Sequence, residues 1–250
     1  MPEWLTEALA TPGLMWLVLT IGVAGIVRGF SGFGTALIFV PIANIFLSAS
    51  DVVALTMLTG FGSMAALLPS ALKTAEIKGV STMGLAAVLT VPLGLWLLVQ
   101  FDQDVIRWTA TVIAFGMLSA LVLGWRYRGV IDVRRLLGIG GAAGVFGGMT
   151  GLTGPAVILF YLAKGARAEV VRANTILFLA ILDVVIIINM TIGGLTSWRL
   201  VGIAFVLTVP YFITSKLGQA MFKPVYEKTY RSVAYAVIAL AVVTGLPLWD

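Results

Sequence analysis

Apolar runs long enough to cross a bilayer follow one another along nearly the whole chain, and this succession limits the fold more than any other feature. Six can be drawn at about Val52–Leu72, Val80–Gln100, Val105–Trp125, Val170–Ile192, Leu200–Gly218 and Ser232–Trp249. Each is roughly 18–23 residues, or about 27–35 Å as helix, which matches a hydrocarbon core of about 30 Å. Inside such a core every backbone N–H and C=O needs a partner within the protein, and a helix supplies them within one segment. The expected fold is all-α and polytopic, a multi-pass protein of the cytoplasmic membrane. Composition agrees, since 60% of the residues are hydrophobic and only 11% charged, against roughly 25% charged in soluble domains. Glu3 and Glu7 stand where a cleavable signal peptide needs a basic stretch, so none is expected.

Two further segments are apolar but broken. Leu14–Leu47 is too long for one simple span and is interrupted by Arg28-Gly-Phe-Ser-Gly-Phe-Gly34. Leu136–Ala163 is interrupted by Gly147-Gly-Met-Thr-Gly-Leu-Thr-Gly-Pro155. The two read as copies. At an offset of 119, Gly25, Gly29 and Gly32 fall on Gly144, Gly148 and Gly151, Ser31 on Thr150, and Ala54, Thr56 and Leu58 on Ala173, Thr175 and Leu177. At an offset of 118 the pentapeptide Val88-Leu-Thr-Val-Pro92 recurs as Val206-Leu-Thr-Val-Pro210. The chain therefore reads as two homologous halves, 1–128 and 129–250, in one membrane domain. Pro92 and Pro210 are expected at matched places, where paired kinks suit either a rocking motion or static packing.

Loop charge decides how the broken segments lie. If both cross fully, Lys and Arg divide almost evenly between the faces. If both dip in and return, only Arg107 and Arg199 stand on one face, Arg28 lies in the first break, and the other thirteen of the sixteen Lys and Arg share the opposite face. The positive-inside rule selects the second arrangement and makes the basic face cytoplasmic. Arg126, Arg128, Arg134 and Arg135, in the connector between halves, read as topology determinants. The arms Leu14–Val27 and Thr35–Leu47 are about 20 Å each as helix, past the midplane but not across. Each half is then a re-entrant hairpin (14–47 or 136–163) plus three crossings, so the second half is inverted relative to the first.

Hairpins entering from opposite faces bring their tips together near the midplane. Irregular backbone there must face something polar. The second arm of each hairpin starts at its tip, with Thr35 opening one and Pro155 the other after a Thr153 or Gly154 cap. Two helix N-termini aimed at one small volume favour an oxyanion. Gly32, Gly34, Gly151 and Gly154 admit a ligand to the backbone, and Ser31, Thr35, Thr150 and Thr153 add hydroxyls. Arg28, costly at membrane depth, either grips the anion or snorkels or pairs with a carboxylate. Asp183, the acidic residue well inside a span, either carries a coupling proton, pairs with Arg28 or caps a local polar cluster. Asn174 and Thr175 either line the pathway or bond helix to helix.

With no Cys and no His, thiol catalysis, His-based metal sites and Ser-His triads are excluded, and no carboxylate pair lies inside the spans. An enzyme is not expected, nor a cofactor. The calculated pI near 9.7 suggests nucleic acid at first sight, but the basic residues sit in short loops and serve topology. The expected partners are a small anion, the lipid bilayer and, as an open question, a coupling proton and further copies of the chain.

The blocks Gly25-Ile-Val-Arg-Gly-Phe-Ser-Gly-Phe-Gly34 and Gly144-Val-Phe-Gly-Gly-Met-Thr-Gly-Leu-Thr-Gly-Pro155, with Ala54-Leu-Thr56 and Ala173-Asn-Thr175 behind them, resemble the paired glycine-rich segments of the sulfite exporter TauE/SafE family. The resemblance extends over nearly the whole chain. One departure is Gly34-Thr35-Ala36, where the family usually has adjacent glycines. The resemblance implies secondary transport of a sulfur-containing anion of the sulfite, thiosulfate or organosulfonate class, with a proton as one energy source. On matching positions it points to Ser31, Gly32, Gly34, Thr150, Gly151, Thr153 and Gly154. The expected mechanism is alternating access, and the alternative is a passive anion channel on the same frame.

Overall fold

In a computed structural model, residues 3–124, 132–163, 167–222 and 227–246 are described. Trp125 and Trp249, which end two of the expected spans, and Arg126, Arg128, Lys164 and Lys223, counted among the basic residues of one face, lie outside them. The described chain is helical, with helices α1 (Glu3–Leu9), α2 (Leu14–Ser31), α3 (Thr35–Ala43), α4 (Ala49–Ala71), α5 (Ile77–Gln100) and α6 (Gln103–Val122). There follow α7 (Val133–Thr150), α8 (Pro155–Ala163), α9 (Ala168–Ile192), α10 (Trp198–Met221) and α11 (Glu227–Thr244).

Six of these, α2, α4, α5, α6, α9 and α10, are long and apolar enough to cross a membrane, so the chain is a multi-pass membrane protein. Five of the expected six are among them, and the first arm of the first broken segment, α2, also reaches spanning length. Among the described residues α11 shows the apolar stretch Ser232–Thr244; the expected span there runs on to Trp249, outside them.

Both broken segments form a long helix followed by a nine-residue one. Arms of nearly equal length were expected in the first segment; in both segments they are unequal, 18 residues against 9. The helix runs through Arg28 and Gly29 and stops only where Gly32 takes φ +82° and returns its N–H to Arg28 O at 2.8 Å. Gly151 does the same at φ +76°, with its N–H on Gly147 O at 2.9 Å. At both places a left-handed residue ends the helix, a conformation glycine adopts without strain. The Phe46 ring lies over Gly13, at the mouth of the first pair. The end of the second arm thus comes back beside the start of the first, and α2 and α3 form an antiparallel hairpin.

The helices pack by exchange between the halves. α2 lies on α10 and α7 on α5; α4 and α9 face each other at the centre, with α4 also on α10 and α9 on α5; α3 meets α11 and α8 meets α6. Glycines make the two tightest seams. A Cβ at Gly29 would run into the α10 backbone at Ser215 and Gln219, and one at Gly148 into the α5 backbone at Val91 and Leu95. Without side chains there, the helix axes approach closely, as small residues allow in membrane helix pairs.

These seams correct one reading of the repeat. Gly25 faces Tyr211 and Thr214, while its counterpart Gly144 faces Ala87 and Thr90. Gly218 packs on Ile26, and Gly94 on Val145. The equivalent residues of α5 and α10 therefore differ by 124, as in Thr90 with Thr214 and Gly94 with Gly218. The two copies of Val-Leu-Thr-Val-Pro, related by 118, are out of register by about six residues, or roughly 240° around a helix. Pro92 and Pro210 do not occupy matched places.

Short α1 was not foreseen. It packs on α10, with Trp4 and Ala8 over Gly202.

Candidate functional site

The two tips meet around one small cavity of about 30 Å³, with room for about two water molecules. Its wall contains Gly34, Thr35 and Ala36 from the start of α3, and Thr153, Gly154 and Pro155 from the start of α8. Arg28, Thr56, Gly60, Asp183 and Tyr211 complete the polar part of the lining. Two roomier hollows, between α2, α3 and α11 and between α6 and α7, are walled mostly by apolar side chains and hold no predicted site residue. The cavity sits near the middle of α10. Tyr211 is about 20 Å from the start of α10 and about 15 Å from its end, at 1.5 Å per residue.

Helix starts that line this space leave backbone donors unused within their helices. The first N–H bonded within α3 is that of Ile38, donating to Gly34 O at 3.1 Å. The N–H groups of Thr35, Ala36 and Leu37 precede it and have no acceptor inside the helix. In α8 the first is Ile158 N–H, on Gly154 O at 3.0 Å. Pro155 opens α8, a position that needs no N–H. Both helix starts therefore add partial positive charge to the cavity.

Arg28 is 4% exposed and its Nε has no hydrogen-bond partner. It projects from the last full turn of α2, not from the irregular tip as its place in the broken motif suggested. Its counterpart Gly147 has no side chain, and the Thr153 methyl covers it. Asp183 comes in from α9 and lays its carboxylate against Gly60 of α4, so closely that no Cβ could stand there. Arg28 and Asp183 share the wall of the cavity without a hydrogen-bonded ion pair between them. Thr35 Oγ1 and Tyr211 Oη are hydrogen-bonded at 2.5 Å, fixing the start of α3 to the middle of α10.

Half of the predicted residues lie elsewhere. Ser31 Oγ donates within reach of Val27 O (2.6 Å) and Phe33 O (2.8 Å) and accepts from Phe33 N at 3.2 Å. Thr150 Oγ1 donates to Phe146 O at 2.7 Å and accepts from Leu152 N at 3.3 Å. These hydroxyls shape the turns and are spent on backbone. Gly32 packs on Arg172 and Gly151 on Val53, one turn beyond the cavity wall. Asn174 and Thr175 are fully buried outside the lining. Asn174 Oδ1 accepts Glu76 N–H at 2.6 Å, bonding α9 to the start of α5.

Four residues that the sequence reading did not assign to the site belong to it or brace it. Thr56 lines the cavity where its repeat partner Thr175 does not. Gly60 makes the seat for Asp183. Tyr211 follows a proline that signalled only a kink. Arg172, counted as a loop charge, donates from Nε and Nη2 to Gly29 O at 3.1 and 2.6 Å, and its guanidinium lies 5.2 Å from the Phe222 ring centre.

A family model described as sulfite exporter TauE/SafE matches residues 17–245, from α2 to α11. No curated protein and no solved structure matches the chain.

Proposed function

The chain belongs to the sulfite exporter TauE/SafE family, and on that premise we propose that it carries a small sulfur-containing oxyanion across the cell membrane by alternating access. The observation that carries this reading is the cavity in which Arg28 and the N-termini of α3 and α8 converge. An oxyanion there accepts from backbone N–H groups of both helix starts, from the hydroxyls of Thr35 and Thr153, and from the guanidinium of Arg28. Gly34 and Gly154 leave the backbone open to it. Pyramidal sulfite and tetrahedral sulfonate present three oxygens on one side of sulfur, a shape suited to donors arriving from several directions.

In this reading the two halves are inverted repeats, and the hairpins dip in from opposite faces. The small size of the cavity supports a carrier over a channel, because a space for about two waters admits an oxyanion only if the helices around it part. The halves interlock through α2 on α10 and α7 on α5, so opening is a rocking of these paired units around the tips. Asp183 shares the cavity wall with Arg28, and in this reading it takes a proton when the anion leaves, which couples the two fluxes.

Uptake of sulfite into proteoliposomes tests the function. Wild-type protein is expected to accumulate sulfite above its equilibrium level when a pH gradient is imposed, and dissipation to equilibrium alone would mean a channel. Arg28→Ala is expected to reduce uptake at least about tenfold, the loss of one charge-assisted contact of about 1.5–3 kcal/mol. Unchanged affinity and rate in Arg28→Ala would remove the site.

A further inference from the structure

The seam between α4 and α10 carries polar side chains that the cavity does not use. It starts at the cavity, where Ser63 lies beside the Tyr211 phenol and donates its own hydroxyl to Gly60 O at 3.0 Å. Next along α10 is Ser215, fully buried, whose hydroxyl has no hydrogen-bond partner. The seam ends where Gln219 Nε2 donates to Ser70 Oγ at 2.8 Å. Tyr211, Ser215 and Gln219 recur every fourth residue and share one face of the helix. The two helices run parallel here, since Gly62 packs on Thr208 and Ser70 meets Gln219. The polar stripe thus leads from the cavity toward the helix ends near Lys73, Lys78 and Lys216, all exposed.

The exchange symmetry supplies an internal comparison. In the matching seam, between α9 and α5, the positions of Tyr211, Ser215 and Gln219 are taken by Ala87, Val91 and Leu95, and that of Ser63 by Leu182. Hydroxyls that merely bind helices together are themselves hydrogen-bonded, and a buried one left without a partner is destabilising unless something visits it. One seam is apolar throughout its α5 face. Its twin offers donors at every turn.

We infer that the α4–α10 seam is the half-path between the cavity and the lysine-bearing face, lined by the unpartnered hydroxyl of Ser215 and closed by the Ser70–Gln219 hydrogen bond. Neutral hydroxyl and amide donors hold an anion in passage without trapping it as a fixed cation would. Lysines at the mouth raise the local anion concentration. The inference rests on the transport reading above and adds the route to it.

The chain has no cysteine, so Ser215→Cys introduces the sole thiol, in a side chain of nearly the same size. A membrane-impermeant sulfonated methanethiosulfonate is added to sealed vesicles from the lysine-bearing side. Ser215→Cys and Gln219→Cys are expected to react at least about tenfold faster than Val91→Cys and Leu95→Cys, because a thiol in a dry apolar seam ionises less and meets less reagent. A Ser215→Cys thiol that reacts no faster than Val91→Cys, or only from the opposite side, overturns the half-path. Adding Gln219→Ala removes the closing bond and is expected to raise the Ser215→Cys rate several-fold; an unchanged rate overturns the closure. The labelling is read without sulfite, so its failure is distinct from a failure of sulfite transport.

Discussion

Arg172 and Gly29 stand 143 positions apart, yet one guanidinium joins them, with Nε and Nη2 both donating to the Gly29 carbonyl. That oxygen lies in the last turn of α2. The N–H that would continue the helical ladder to it, Phe33 N, goes instead to Ser31 Oγ. Arg172 therefore satisfies a carbonyl that the helix end leaves behind, and it reaches the tip of the first hairpin from the start of α9.

Arg172→Met is expected to lower stability by about 1.5–3 kcal/mol, the scale of hydrogen bonds from a charged donor. Arg172→Lys keeps the charge but loses the two-pronged contact and the planar face over Phe222, so it recovers only part. Thermal unfolding in detergent measures both. A lysine variant as stable as wild type would show that charge alone matters.

Glycine-to-alanine changes are expected to divide sharply by position. Gly29→Ala and Gly148→Ala drive a methyl into the backbone of α10 or α5, and overpacking of this kind costs about 1–3 kcal/mol. Gly116 and Gly138 have nothing within 4 Å of the same Cβ position, and alanine in a helix interior is favoured there by about 0.5–1 kcal/mol. Apparent melting temperatures of the four variants should fall for the first pair and hold or rise for the second.

Tyr211→Phe, Thr35→Val and the double variant form a thermodynamic cycle. Their hydroxyls meet across the α3–α10 contact, and the cycle cancels what each makes elsewhere, so a coupling energy near 1 kcal/mol is expected in unfolding experiments. Additive effects would mean that the bond contributes nothing to holding the start of α3.

Asp183→Asn preserves the volume resting on Gly60 and removes the proton site. If the proposed coupling holds, this variant exchanges sulfite for sulfite across a membrane at near the wild-type rate but does not accumulate it against a gradient. Full accumulation by Asp183→Asn would move the coupling elsewhere.

The broken segments were legible because glycine runs inside apolar stretches have few uses, and each break ends where the sequence marks it. Arm lengths were not legible. A glycine such as Gly29 weakens an isolated helix by about 1 kcal/mol, and the close fit of α10 on that glycine, invisible in the sequence, offsets the loss and carries α2 onward to Ser31. The pairing of Thr56 with Thr175 was visible as repetition, but only the α4 member reaches the cavity, since repeated sequence fixes the frame and not which copy faces the ligand. The twin pentapeptides misled for a related reason. Identical strings on two helices need not lie on corresponding faces, and here the glycine seams set the register.

Arg28, Asp183 and Tyr211 each have an unlike counterpart in the other half, namely Gly147, Met64 and Ala87. The glycine contacts of α2 on α10 recur in those of α7 on α5, but the polar residues around the cavity do not recur with them. A carrier with identical halves could rest equally well facing either compartment. The proposed carrier cannot, because swapping the roles of its halves gives the guanidinium, the carboxylate and the phenol different surroundings. If the proposed alternating access holds, its two end states differ in free energy, and an empty protein waits preferentially on one side.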